Sequence, residues 1–384
     1  MVSAHRALAV AVAAAVLAAC GSSSDEPAAA PATSSTVPAA ASAPSPTTTS
    51  TTAPCRPAPL AERAAAVLVL GIGDATTAEA PLARRLTSLG VGGVILLGLN
   101  VVDRAQVTAL VDGLRRQSAR HLLVAVDEEG GRVSRLRPIL GPTPSARILG
   151  QRPLAEISAV AAERGGILRD LGFDLVLAPV VDAEGGAAGG AIGDRAFAAT
   201  PAEAGPRAGA FVEGLRRAGV AATAKHFPGQ GGLADSHDGT VVSDASLAQV
   251  ERAAAAGFRP VVDAGVPAVM MSHATFRALG DLPASLEPAA YRMLRSLGFD
   301  GVAVTDAVGM SAILERWSLA EAAVLALVAG ADLVLATPAD RAGAMRDEIV
   351  EAVDDGRLPE RRLDEAVRRV VRLRGEDPAT MVCG

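Results

Sequence analysis

Ala221-Ala222-Thr223-Ala224-Lys225-His226-Phe227 is a run of small residues, without apolar/polar alternation, that ends in two basic side chains and a phenylalanine. A continuous run of this kind suits a strand covered on both faces, as in a parallel sheet. Seven further apolar runs share the pattern: residues 65–72, 91–97, 121–126, 174–181, 268–272, 301–305 and 331–336. Ala/Arg/Glu-rich stretches of helical character lie between them. The stretch 201–218 opens on Pro201 and is followed by Gly219, the preferred residues for a helix start and for the position after its end. Eight strand–helix units predict an α/β protein built as a single (β/α)8 barrel of the TIM type, rather than an open doubly wound sheet. After the eighth run, helical segments are expected near 341–353 and 359–374.

A barrel of this type carries its active site at the C-terminal ends of the strands. Read in order, those ends give Gly73-Asp74, Asn100, Asp127-Glu128-Glu129, Asp182, Lys225-His226, His273 and Asp306. Titratable residues therefore gather on one rim, whereas His121 opens a strand at the other rim and reads as structural. Lys225 is the only lysine among 36 Lys and Arg residues, and Asn100 is the only asparagine. A chain that uses arginine for every other positive charge keeps one compact ammonium beside His226 and close to His237. The two cations are not interchangeable, so the segment reads as an active-site loop.

Several constellations carry chemistry. Asp235 and His237 stand two apart in a Gly-rich loop, a spacing that points both side chains the same way in extended backbone. The aspartate can orient the imidazole as a general acid/base, or the pair can cap its own loop with the histidine exposed. Asp306 closes the run 301–305 and reads as a nucleophile, a base, a metal ligand or a helix N-cap. In Asp127-Glu128-Glu129-Gly130-Gly131-Arg132-Val133-Ser134-Arg135, carboxylates and arginines flank a Gly-Gly turn. They can grip sugar hydroxyls or form a surface ion-pair network. Ile192-Gly193-Asp194-Arg195-Ala196-Phe197 supplies another polar pair. No His-x-x-x-His or Cys-x-x-Cys spacing occurs, so neither metal nor cofactor is expected.

The N-terminus reads as a targeting segment. Residues 7–19 are apolar but too short for a membrane-spanning helix, which needs ~20 residues; they suit the core of a secretory signal. Leu17-Ala18-Ala19-Cys20-Gly21 resembles the bacterial lipoprotein cleavage box, in which the cysteine carries the lipid. Residues 21–54 are almost wholly Ser, Thr, Ala and Pro, a composition that stays disordered and reaches roughly 30 Å as a tether. The expected organisation is a signal peptide over 1–19, a lipidated Cys20 with its tether over 20–54, and a catalytic domain over 55–384. Such a protein sits on the outer side of the cell membrane, facing the wall, with the membrane as a partner through Cys20. Cys55 and Cys383 are the remaining cysteines, and outside the cytosol they are a candidate disulfide between the two ends of the domain. The net charge of −6 and the lack of basic clusters exclude a nucleic-acid partner.

Taken together, these motifs resemble the bacterial β-N-acetylglucosaminidases of glycoside hydrolase family 3. The matching pieces are 126–133, 178–182, 192–197, 225–229, 235–237 and 298–306, in the family's order, with Lys-His-Phe-Pro-Gly followed by Asp-Ser-His the most specific. The resemblance implies that Asp306 is the nucleophile and that His237, oriented by Asp235, is the general acid/base. It also implies that Asp127, Arg135, Arg195, Lys225 and His226 hold a terminal N-acetylglucosamine, and that the reaction retains configuration through a glycosyl-enzyme intermediate. The chain departs from the family's pattern at Gln230 (usually His), Glu128 (usually Gln) and Ala307 (usually acidic). The expected activity is exo-hydrolysis of β-linked N-acetylglucosamine from muropeptides or related small glycans. Transfer of the sugar to inorganic phosphate is a second reading, because a neutral histidine base does not repel phosphate as a carboxylate does. A solute-binding lipoprotein is a third, and it requires two lobes around a cleft. An aromatic content of 2% leaves few stacking platforms for a long polysaccharide and favours a short terminal sugar.

Overall fold

A computed structural model describes residues 55–184, 191–234, 239–337 and 339–383. The expected signal segment, Cys20 and the tether lie outside these residues. Eight parallel strands form the centre: β1 Leu68–Gly71, β2 Gly93–Leu96, β3 Leu123–Val126, β4 Leu175–Val176, β5 Ala221–Phe227, β6 Ala268–Met271, β7 Val302–Thr305 and β8 Val334–Ala336. They hydrogen-bond in the order β7-β6-β5-β4-β3-β2-β1-β8. A parallel bridge between Val304 and Leu333, with the Thr305 N–H donating to Leu333 O at 3.0 Å, closes β7 on β8. The result is the (β/α)8 barrel that the eight runs predict.

One main helix follows each strand: α1 Pro81–Leu89, α2 Arg104–Gln117, α3 Leu154–Asp170, α4 Pro201–Ala218, α5 Leu247–Asp263, α6 Pro288–Ser296, α7 Leu319–Ala329 and α8 Ala342–Asp354. A ninth, α9 Glu360–Leu373, comes last. Helix α4 has the bounds its sequence predicts: Thr200 caps its start, Pro201 opens it, and Gly219 ends it in the left-handed region at φ 79°. Glycine adopts that conformation without the Cβ clash other residues meet.

Strand β4 is shorter than its apolar run, because Pro179 has no N–H to give to a ladder. The chain nevertheless stays beside β5. Thr223 and Lys225 donate their N–H groups to Ala178 O and Pro179 O, at 2.9 and 3.1 Å. Inside the barrel, Val69, Ile95, Leu123, Met270, Val302 and Leu335 pack in one apolar cluster, and a second, larger one lies between strands and helices. Phe227 points outward from β5 and meets Phe258 of α5 edge-on at 5.0 Å.

The N-terminal mouth of the barrel is covered by α9. Val370 belongs to the interior cluster and is fully buried, and Arg362 and Arg369 reach the buried Asp332 at 2.7 and 3.3 Å. Arg295 of α6 donates to the same carboxylate at 2.7 Å, and so does the Ala303 N–H at 3.0 Å. Asp174, just before β4, serves the floor in the same way. It accepts from the Val124 N–H and from Arg115, both at 2.8 Å, and stands 3.2 Å from His121 Nε2. These carboxylates correct the expectation that titratable groups gather on one rim. The floor needs them too, because strand starts present N–H groups with no partner in the sheet, and arginines neutralise the resulting charge.

The two ends of the domain meet on this floor. Cys55 and Cys383 form a disulfide with their Cα atoms 5.7 Å apart. The Ala58 N–H donates to Met381 O at 2.9 Å, and Arg368 to Cys383 O at 2.7 Å. Among the described residues, no helix is long and apolar enough to cross a membrane.

Candidate active site

Three consecutive βα units and the end of β7 build the site. After β3 the chain turns back on itself: Glu128–Gly130 pairs antiparallel with Val133–Ser134. Gly130 and Gly131 make the turn at φ 93° and 58°, and a Cβ on Gly130 would stand 2.4 Å from Pro144 O. The hairpin brings Asp127, Glu129 and Arg135 to one cavity and sends Glu128 into the interior, where it is 1% exposed. Burial pushes the Glu128 carboxyl up, against the hydrogen bond it accepts from the Leu136 N–H at 3.1 Å.

After β4, a single 3-10 turn, Gly193–Arg195, presents Arg195. Phe197 fixes this segment against Phe211 of α4, with ring centroids 6.0 Å apart. Arg132 reaches across from the β3 hairpin to pair with Asp194 at 2.9 Å and to donate to Ala191 O and Ile192 O. On β5, the register shifts between Lys225 and Phe227, and Lys225 and His226 both line the cavity. The peptide between them is cis.

The charges alternate. Arg135 lies 3.9 Å from Asp127, Asp127 2.8 Å from Lys225, Lys225 2.7 Å from Glu129, and Glu129 accepts both Arg195 Nε and Nη2, at 2.7 and 2.9 Å. The side chains of Lys225 and Glu129 are 4% and 3% exposed, so the network is buried and is not the surface ion-pair alternative. Burial raises the Glu129 carboxyl, but Lys225 and Arg195 outweigh it and bring the pKa down to about 2. Burial likewise works against the Lys225 ammonium, yet Asp127 and Glu129 hold its pKa above the usual lysine value despite Arg195 nearby.

Beside this chain stands an Asp–His pair. Asp182 Oδ2 accepts from His226 Nδ1 at 2.6 Å and from the His226 N–H at 3.1 Å, and Oδ1 accepts from the Gln230 N–H. The other ring nitrogen, Nε2, faces Asp306 Oδ2 at 3.8 Å. Asp306 stands just past β7, with its side chain 15% exposed. Its Oδ1 accepts from the Ala307 N–H at 2.7 Å, and the next helical turn starts only at Ser311; the helix N-cap alternative therefore fails. Burial raises the Asp306 carboxyl, but His226 and His273, with the Ala307 N–H and Lys225, bring it below the usual aspartate value. A carboxylate kept ionised at the barrel mouth has the state a nucleophile needs.

Asp127, Arg135, Arg195, Lys225, His226 and Asp306 thus line one cavity of about 140 Å³. An adjoining space of about 230 Å³ shares Asp127, Arg135, Lys225 and Asp306 and descends between Ile95, Leu177 and Met270. Asp235 and His237 lie outside the described residues, so the structure does not address that pair. Two rim residues prove to be scaffolding. Asn100 donates to Gly73 O and Ala75 O and accepts from the Leu97 N–H, tying the β1 and β2 loops together. His273 stands between Ser285 Oγ and Ala307 O, at 2.7 and 2.9 Å, and steadies the residue after Asp306. Gln230 is buried at the cavity edge and accepts from Ser272 Oγ at 3.2 Å. Glu129 and Asp182 carry more of the site than their motifs suggest. Their signal was position alone: both follow the end of a barrel strand.

The model of the glycosyl hydrolase family 3 N-terminal domain matches residues 65–373. Beta-hexosaminidase LpqI of Mycobacterium tuberculosis is 37% identical over 337 residues, which are 84% of this chain and 84% of that protein. The solved structure of M. tuberculosis LpqI superposes with a TM-score of 0.76 at 35% identity, over 83% of this chain and 94% of the other. A family 3 beta-N-acetylglucosaminidase from a Paenibacillus strain gives a TM-score of 0.78 at 33% identity, over 85% of this chain and 64% of the longer one.

Proposed function

The chain belongs to glycosyl hydrolase family 3, and from that premise we propose that it is a retaining exo-β-N-acetylglucosaminidase acting on small cell-wall glycans. The observation that carries the reading is Asp306, ionised, partly exposed and facing the same cavity as Lys225, His226 and Arg195. The beta-hexosaminidase and beta-N-acetylglucosaminidase names of its relatives support the glycone. In this reading Asp127, Arg135, Arg195, Lys225 and His226 grip the hydroxyls of one terminal sugar by charge-assisted hydrogen bonds. Asp306 attacks the anomeric carbon as the glycosidic bond breaks, and His237 imidazolium, oriented by Asp235, gives its proton to the departing oxygen. Neutral His237 then takes a proton from water, which displaces Asp306 from the sugar and regenerates both groups. The small cavity and its ring of charged groups suit a single sugar unit rather than a bound polymer. Lipid attachment at Cys20, with a tether over 20–54, would keep the enzyme at the outer membrane surface beside its substrate.

The test uses the full chain with nitrophenyl β-N-acetylglucosaminide and the corresponding glucoside, with and without phosphate. Free N-acetylglucosamine released at a rate indifferent to phosphate supports the proposal. Sugar 1-phosphate as product would replace hydrolysis by phosphorolysis, and equal turnover of the glucoside would remove the N-acetyl specificity.

A further inference from the structure

Glu129 is the carboxylate of the charge chain whose two oxygens are both held by buried cations. Both of its oxygens are engaged, Oε2 by Arg195 Nε and Oε1 by Arg195 Nη2 and Lys225 Nζ, all within 2.9 Å. Its two partners come from different barrel units, Arg195 from the turn after β4 and Lys225 from β5, and each also lines the cavity. We propose that Glu129 is a positioning residue of the sugar site, which acts through Lys225 and Arg195 by locking these two cations in fixed directions toward the bound sugar. The inference rests on reading the cavity as a sugar site.

Two physical requirements point to a carboxylate at this position. The first is order. A lysine side chain has many rotamers to lose, and a single partner leaves the ammonium free to swing. Asp127 and Glu129 together pin it from two sides, at 2.8 and 2.7 Å. Arg195, held by both Nε and Nη2, can present its remaining N–H groups in only one plane. The second requirement is charge. Lys225 and Arg195 are buried together and repel each other; burial and Arg195 both act to strip the lysine proton, and Asp127 and Glu129 oppose them. The groups facing Lys225 are Asp127 and Glu129 from the β3 hairpin, Arg195 after β4, His226 on its own strand and Asp306 after β7. With Glu129 neutral, Asp127 alone would have to serve Lys225, Arg135 and a sugar hydroxyl. An amide at position 129 would keep the shape and lose the balance.

Lys225 is the only lysine in the chain, which allows a direct test. Full-length protein labelled with lysine carrying 13C at Cε gives one lysine resonance, and its pH titration reports Lys225 alone. Glu129→Gln should move that titration to lower pH relative to wild type. In the same variant KM for the nitrophenyl β-N-acetylglucosaminide should rise roughly ten-fold or more, with kcat changed less, and inhibition by free N-acetylglucosamine should weaken by a similar factor. Glu129→Asp keeps the charge but not the reach; it should leave the lysine titration near the wild-type midpoint while KM still rises. An E129Q protein with wild-type titration and wild-type KM, even with a lowered melting temperature, would make Glu129 merely structural and overturn the proposal. If E129Q does not fold, E129D decides alone: an unchanged KM defeats the positioning role. A wild-type chain without glycosidase activity defeats the functional reading instead, whereas the lysine titration is read without substrate and keeps the two failures apart.

Discussion

Acid should cost the fold most of what Glu129 contributes, although its own carboxyl stays ionised to low pH. The carboxyl is held at about 2 in the folded protein against 4.5 for the free group. Each pH unit of difference corresponds to about 1.4 kcal/mol, so the ionised Glu129 contributes about 3 kcal/mol to stability. Because the folded value is the depressed one, this stability is fully present above pH 4.5 and is lost as pH falls from there toward 2. At pH 3 the loss amounts to about 2 kcal/mol. Asp174 and Asp306, whose pKa values are also lowered, add losses of the same sign. Comparison with Glu129→Gln removes them, since they are present in both proteins. Urea unfolding followed by circular dichroism at pH 6 and pH 3 should show wild type losing about 2 kcal/mol more than E129Q over that interval. Parallel losses in the two proteins would mean that Glu129 is not ionised between Lys225 and Arg195, and the account of the buried chain would fall with it.

Other perturbations address the chemistry and the ends. Asp306→Ala should fold normally, lose roughly 10⁴-fold or more in kcat, and give no covalent adduct with a fluorinated glycosyl inhibitor in intact-mass spectra; an adduct at another carboxylate would reassign the nucleophile. His237→Ala should cost roughly 10²- to 10⁴-fold on substrates with poor leaving groups and far less on activated aryl glycosides, and equal losses on both would remove the acid role. Cys383→Ser opens a covalent loop with a sequence separation of 328 residues, for which the chain-entropy model gives about 5–6 kcal/mol. The melting temperature should fall by about 10 °C with activity at 25 °C retained, whereas an unchanged transition would show that the ends are held by packing alone.

The barrel was legible because its strands are buried on both faces. Runs such as 221–227 and 301–305 have no alternation to confuse them with an edge strand, and Pro201 and Gly219 bracket α4 at its observed ends. Where a run misled, a single residue explains it: Pro179 withholds an N–H, so the run 174–181 yields only Leu175–Val176 as regular strand. The rim rule brought out Asp127, Lys225, His226 and Asp306, since every barrel strand delivers its last residues to the same mouth. What it could not do was separate cavity-lining residues from scaffolding on that rim. Asn100 and His273 occupy positions as promising as Asp306, yet their polar atoms are spent on backbone carbonyls, an amide and a hydroxyl of neighbouring loops. Glu128 and Glu129 are adjacent and chemically alike, and only the hairpin geometry sends one inward and the other to the cavity wall. The floor was hidden for a related reason. Asp332 is bound by arginines 30 to 37 residues away on two different helices, and no local spacing records such contacts.

The clasp between Cys55 and Cys383 makes the domain a closed ring in which the place of the chain break is incidental. Its ends lie on the floor, across the barrel from the mouth that carries Asp306, and their Cα atoms are no farther apart than a short peptide link can span. Such a ring lends itself to circular permutation: a brief linker replacing the disulfide, with new ends opened in an exposed loop on the floor between two βα units, keeps every strand in the barrel's cyclic order. It also leaves the floor as the natural side for attachment. A support, a fusion partner or an affinity matrix joined there leaves the mouth that carries Asp306 turned outward and unobstructed.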